Sequence, residues 1–150
     1  MLRNNCKFIV LLSFLGALLS TTAFAADYFS ISANGTVFYD APSAKAKKLF
    51  VVNQFYPVEV VVTLAEWAKV RDVTGALAWV EKKQLADKRT VVATAARADI
   101  RQSPDDKAPV VFQAEKGVAL ELIESASGWL KVRHRDGQTG YVKLDQVWGA

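Results

Sequence analysis

The side chains that most often do chemistry are scarce in this sequence of 150 residues. It holds one histidine, His134, so neither a histidine metal cluster nor a paired imidazole acid–base system can be built. A Ser-His-Asp set would have to be assembled around His134, and no G-x-S-x-G turn presents a serine to it. His134 itself reads as a structural or solvated residue at a rim, because a neighbouring repeat of its surroundings carries Asp72 in its place. Asp105-Asp106 pairs two carboxylates, but directly after Pro104, in a polar stretch that reads as a turn. There is no glycine-rich phosphate loop. The pattern argues against an enzyme, a bound cofactor or a metal. What is left is aromatic and cationic surface.

The N-terminus sets the compartment. MLRNNCK carries Arg3 and Lys7 and no acid, FIVLLSFLGALLS is uncharged, and Ala23-Phe24-Ala25 offers small residues around a cleavage point. This is the order of a secretory signal, here residues 1–25, expected to be cleaved after Ala25 and to export the chain, most plainly to a periplasm. The apolar run is shorter than the ~20 residues a membrane span needs. Cleavage removes Met1 and Cys6, the only sulfur residues, and Cys6 precedes the apolar core, where it cannot be lipidated. The mature chain would then have no disulfide and depend on its core alone. Its formal charge would fall from +4 to +2, which gives no reason to expect nucleic acid.

The candidate binding residues become visible through a repeat. Shifted by 62 positions, residues 28–88 align without a gap on residues 90–150, with 13 identical pairs in 61, well beyond chance. Pro42 meets Pro104, Phe50 meets Phe112 and Glu59 meets Glu121. Trp67-Ala-Lys69-Val70-Arg71 meets Trp129-Leu-Lys131-Val132-Arg133. Gly75, Val80 and Gln84 meet Gly137, Val142 and Gln146, and Trp79 meets Tyr141. This predicts a first unit over residues 26–88 and a second over 89–150. The linker Ala86-Asp87-Lys88-Arg89 is short, charged and free of Gly and Pro, so the two should pair in a fixed way.

Each copy reads as short strands. PVEVVVTL and VALELIES are rich in β-branched and alternating apolar residues. In WLKVRHR, Trp129, Lys131, Arg133 and Arg135 fall on one side and Leu130, Val132 and His134 on the other. Asp136-Gly137 and Thr74-Gly75 signal hairpins, and APSAKAKK and SPDDKAP are polar connections. No stretch carries a useful helical stripe. Five or six short strands per copy predict an all-β chain of two small barrels.

The second copy also carries Ile100-Arg101-Gln102-Ser103-Pro104, Lys116-Gly117, Gly128-Trp129-Leu130-Lys131-Val132, Asp136-Gly137 and Gly140-Tyr141-Val142. In that order these motifs resemble the bacterial SH3-like domain. The first copy departs from the pattern, with Glu66 before its Trp, Ala78 before Trp79, and Phe55-Tyr56-Pro57 at the K-G turn. The resemblance covers nearly the whole mature chain and implies two tandem SH3-like barrels. It further implies a non-catalytic module recognising a cell-envelope component, either a peptidoglycan peptide or a periplasmic protein. The alternative is a structural or assembly factor whose barrels pack on each other or on a partner.

Within that frame Trp67, Trp129, Phe38, Ile100, Phe50 and Phe112 are expected in the cores. Tyr39, Phe55 and Tyr56 stand where the second copy has Arg101, Gly117 and Val118, so the fold does not require them. They either line a recognition groove together with Trp79 and Tyr141, or pack between the barrels. Lys131, Arg133, Arg135 and Lys143 make a basic ribbon on the second copy, either merely solvated or able to hold carboxylates.

Overall fold

A computed structural model describes residues 26–150, so the expected signal segment lies outside the described residues. The first sheet consists of β1 (Asp27–Ile31), β2 (Thr36–Tyr39), β3 (Lys48–Val52), β4 (Pro57–Thr63), β5 (Trp67–Arg71) and β6 (Leu77–Glu81). A 3-10 turn at Lys82–Gln84 leads to β7 (Leu85–Ala86). The second sheet repeats the series as β8 (Thr90–Ala93), β9 (Arg97–Arg101), β10 (Val110–Glu115), β11 (Ala119–Ala126), β12 (Trp129–Arg133) and β13 (Thr139–Lys143). A turn at Leu144–Gln146 then leads to β14 (Val147–Trp148). The strand orders are β3-β2-β6-β5-β4-β1-β7 and β10-β9-β13-β12-β11-β8-β14. Each sheet has seven strands rather than five or six, because β7 and β14 are too short to show a period in sequence.

The inward face follows from alternation. Ala68 and Val70 on β5 pair across to Val80 and Ala78 on β6, and all four are buried. Leu130 and Val132 on β12 pair with Val142 and Gly140 on β13 in the same register. Phe38 and Ile100 lie at the centres of the two cores, while Phe50 and Phe112 are half-buried against their rims. Trp67 and Trp129 are not core residues. They share the outward face of their strands with Lys69 and Lys131 and are only half-buried. The pleat decides this: the inward positions next to each Trp are already taken by Ala68 and Leu130.

Even the irregularities are duplicated. The ladder between β4 and β5 shifts between Val60 and Val62, and that between β11 and β12 between Leu122 and Glu124. The extra residues, Val61 and Ile123, are exposed. One core difference is a matched pair of changes. A Cβ added at Gly140 would stand 2.5 Å from Ile100 Cγ2 and 2.7 Å from the Arg101 carbonyl oxygen. In the first barrel Ala78 takes the Gly140 place and Phe38, unbranched at Cβ, takes the Ile100 place.

The linker holds the barrels against each other. Strand β8 is buried along its whole length, and Val92 is 1% exposed although its neighbours Val91 and Ala93 supply the core contacts. Its outer side is covered where β4 of the first barrel lies against it. The Tyr28 and Trp148 rings meet edge to face at 5.2 Å. Arg89 lies 5.5 Å over the Tyr28 ring and donates to the Gly149 carbonyl at 3.2 Å. Burial, and secondarily the Glu59 charge, push the Tyr28 phenol above its ordinary pKa. Such contacts, each worth roughly 0.5–1.5 kcal/mol, make the pairing definite rather than loose.

Candidate functional site

The residues singled out in sequence are brought into three places rather than one. The first is the outer face of the first barrel. Tyr39 on β2 and Trp79 on β6 are register partners, and Trp79 is in turn the partner of Lys69 on β5. The Tyr39 ring packs edge to face on Trp67 at 5.5 Å, and Lys69 Nζ stands 5.9 Å from the Trp79 ring centroid. Tyr39 faces away from Phe38 as alternation demands, yet it is only 9% exposed because Trp67 covers it. The result is a ledge of two half-exposed indoles on a buried phenol, flanked by an ammonium.

The second place is the matching face of the second barrel. Arg101, Tyr141 and Lys131 stand in one row across β9, β13 and β12. Lys131 Nζ lies 5.9 Å from the Tyr141 ring, and Lys143 Nζ lies 5.7 Å from the Trp129 ring. Lys143 also bonds Asp106 at 2.6 Å, and Arg101 bonds Asp99 at 3.0 Å. Trp129 walls two shallow depressions of about 310 and 490 Å³ on this barrel. Sequence reasoning placed both Trp residues inside. The signal that locates them correctly is their alternation with Lys69-x-Arg71 and Lys131-x-Arg133.

The third place lies between the barrels. Phe55 sits at φ 72°, where its sister Gly117 is at φ 89°. A left-handed backbone costs a residue with a Cβ roughly 1–2 kcal/mol. Held there, Phe55 lines a hollow with Arg133 and Arg135 of the second barrel, and Lys88 Nζ lies 4.9 Å over its ring. Tyr56, like its counterpart Val118, leans on its own core, and burial followed by the Asp72 charge raises its phenol pKa. The basic ribbon is therefore not continuous. Lys131 and Lys143 belong to the outer ledge, whereas Arg133 and Arg135 face the first barrel across the groove.

Both hairpins close alike but use different side chains. Gly75 at φ 86° and Gly137 at φ 94° each end a tight turn, a conformation glycine adopts without strain. Asp72, 8% exposed, accepts from the Thr74 backbone N–H at 2.8 Å, the Thr74 hydroxyl at 2.6 Å and the Ala76 N–H at 3.0 Å. In the second barrel Asp136 accepts from the backbone and side chain of Gln138 at 2.9 and 2.8 Å, and His134 Nδ1 stands 3.0 Å away. These contacts, the Gln138 N–H first, lower the Asp136 pKa to about 2. His134 is thus half-buried at the rim, its ring 5.7 Å from Phe112. Among the described residues no three His, Cys, Asp or Glu side chains gather where a metal could be held.

A family model of the bacterial SH3 domain matches residues 32–87 and, a second time, residues 94–149. The chain belongs to the bacterial SH3 domain family. Its two bacterial SH3 domains stand in tandem, and the family is one of binding domains rather than catalytic ones. Among solved structures the chain is similar to NlpC1 from Trichomonas vaginalis, at 17% identity, over 85% of this chain and 47% of that one, with a TM-score of 0.39. It is also similar to an NlpC/P60 family protein from Bacillus cereus, at 15% identity, over 81% and 56% of the two chains, with a TM-score of 0.38. The chain spans about half the length of each. No curated protein matches it.

Proposed function

We propose that this protein is an exported, non-catalytic binding module that uses the outer ledges of its two barrels to hold a component of the cell envelope. The observation that carries the reading is the repeated ledge. At matched register each barrel sets a Trp, a Lys and a second aromatic on its outward face: Trp67, Lys69 and Trp79, then Trp129, Lys131 and Tyr141. None of these rings belongs to either core cluster. Flat rings beside fixed ammonium groups suit an extended ligand with apolar, amide and carboxylate portions. A peptide of peptidoglycan has that chemistry, as does an extended segment of an envelope protein. Two ledges held by one short linker would engage two points of the same ligand, which raises apparent affinity without any new contact.

The packing of Tyr28 on Trp148 favours a second reading, in which the aromatics serve assembly and the barrels act as a structural unit. Co-sedimentation separates the two. Purified peptidoglycan sacculi, stripped of protein, are expected to retain the chain, and N-terminal sequencing of the envelope-bound protein should begin at or near Ala26. Absence of retention on sacculi and on every envelope protein fraction, with the fold intact, would leave only the structural reading.

A further inference from the structure

Where the barrels meet they form a groove that neither could form alone. Two adjoining hollows of about 190 and 450 Å³ share Phe55, Ala119, His134 and Arg135. The larger falls within the range of roughly 300–1,000 Å³ usual for ligand pockets. We propose that this groove is a carboxylate-binding site that takes the C-terminal residue of a peptide. The choice of a peptide rests on the envelope reading above; the choice of a carboxylate rests on the groove itself.

Three cationic side chains line the smaller hollow, Lys88, Arg133 and Arg135, against one acid, Glu121. Glu121 stands 3.3 Å from Lys88 and 3.6 Å from Arg133, so it positions both without cancelling the charge. Arg135 has no ion pair among the described residues. Asp136, the other nearby carboxylate, is occupied by Gln138 and His134. A guanidinium without a partner beside a second one held in place suits the two oxygens of a carboxylate.

The rest of the lining mixes apolar surface with His134, which both hollows share, and with Asn53 and Gln54 in the larger one. Phe55, Ala119 and Gly137 face the same hollow, and Tyr56 and Val118 continue into the larger one. Phe55 is the informative residue. It holds a left-handed backbone where the sister barrel has glycine, and strain of this kind collects at sites of function. Glycine would serve the turn better, but only a side chain at this position can reach the groove. Phosphate would satisfy the cations and leave the aromatic wall unmatched. A terminal carboxylate beside a small apolar side chain uses both, with the preceding residues lying in the wider hollow.

The test is a titration of the ¹⁵N-labelled protein, followed by amide chemical shifts. The probes are N-acetyl-Ala-Ala with a free carboxylate, the same dipeptide as its C-terminal amide, and inorganic phosphate. The free acid is expected to shift Phe55, Ala119 and Gly137 saturably, with the amide at least tenfold weaker. Arg135→Ala should weaken the free acid at least tenfold. Phe55→Gly should do the same while melting no earlier than the parent, because glycine relieves the backbone. Absence of groove shifts, equal binding of acid and amide, or unchanged binding by Phe55→Gly would overturn the site. Equal shifts with phosphate alone would overturn the peptide assignment. Retention on sacculi without groove shifts defeats the groove alone, whereas groove shifts without retention defeat the envelope reading alone.

Discussion

From Trp67 and Trp129 onward the two barrels run in step, with β5 matching β12, β6 matching β13, and even the 3-10 turns beginning at equivalent residues. Their cores use the same inward positions and their outer ledges the same Trp and Lys. They part company at Tyr39 against Arg101, Phe55 against Gly117, and Asp72 against His134. Tyr39 supports Trp67 from beneath, whereas Arg101 binds Asp99 and donates to the Ala108 carbonyl at 2.8 Å. Phe55 puts a ring into the inter-barrel groove, whereas Gly117, at the edge of the wider hollow, brings no side chain to it. Duplication kept what builds a barrel and a ledge and varied what surrounds them.

The largest effect expected separates inward from outward residues. Leu130→Ala removes a fully buried side chain and should cost the second barrel roughly 2–5 kcal/mol. Trp129→Ala removes a half-exposed ring and should cost about 1–2 kcal/mol, leaving the barrel folded. Denaturant melts decide it; equal losses would return Trp129 to the core. Next comes the coupled swap. Gly140→Ala forces a methyl against Ile100 and the Arg101 carbonyl and should cost about 1–3 kcal/mol. Adding Ile100→Leu, which removes the branch at Cβ, should recover part of that loss. No recovery would show that the backbone clash alone sets the need for glycine.

The hairpins give a smaller contrast. Asp72→Ala strips three hydrogen bonds from a buried carboxylate and should destabilise the first barrel by about 1.5–3 kcal/mol. His134→Ala should cost the second barrel less, since Asp136 keeps both bonds from Gln138. Thermal melts of the two variants test that order. The smallest effect is a pH dependence of the second hairpin. The Asp136 pKa is depressed from 3.8 to about 2, so its contribution is complete above about pH 4 and fades as pH falls towards 2. A carboxyl-carbon NMR titration should show that midpoint, and Asp136→Asn should remove the dependence. A midpoint near 4 would mean that the Gln138 and His134 contacts do not form in solution.

Much of the fold is legible in the sequence. The ungapped repeat gave both barrels, and the alternation in WLKVRHR gave the true facing of Trp129 even though the size of the ring argued for burial. Volume misled where the pleat did not: each small interior is filled by Phe38 or Ile100 with Val, Ala, Ile and Leu around it, and the indoles are left outside. Alternation sets Tyr39 opposite Phe38, but its burial beneath Trp67 is a contact between β2 and β5, which single-strand periodicity does not contain. The meeting of Phe55 with Arg133 and Arg135 was illegible for a related reason. It depends on how one barrel sits on the other, and the only local clue was an aromatic standing where the repeat keeps glycine.

On the proposed function the two Trp residues serve the ledges and not the cores. The direct measurement is the affinity for purified sacculi of the parent, Trp67→Ala, Trp129→Ala and the double variant, with folding verified by melting. If the two ledges share one ligand, each single variant should bind at least ~10-fold more weakly, through loss of avidity as well as contact, and the double variant should not be retained. A folded double variant that binds sacculi as tightly as the parent would contradict the account.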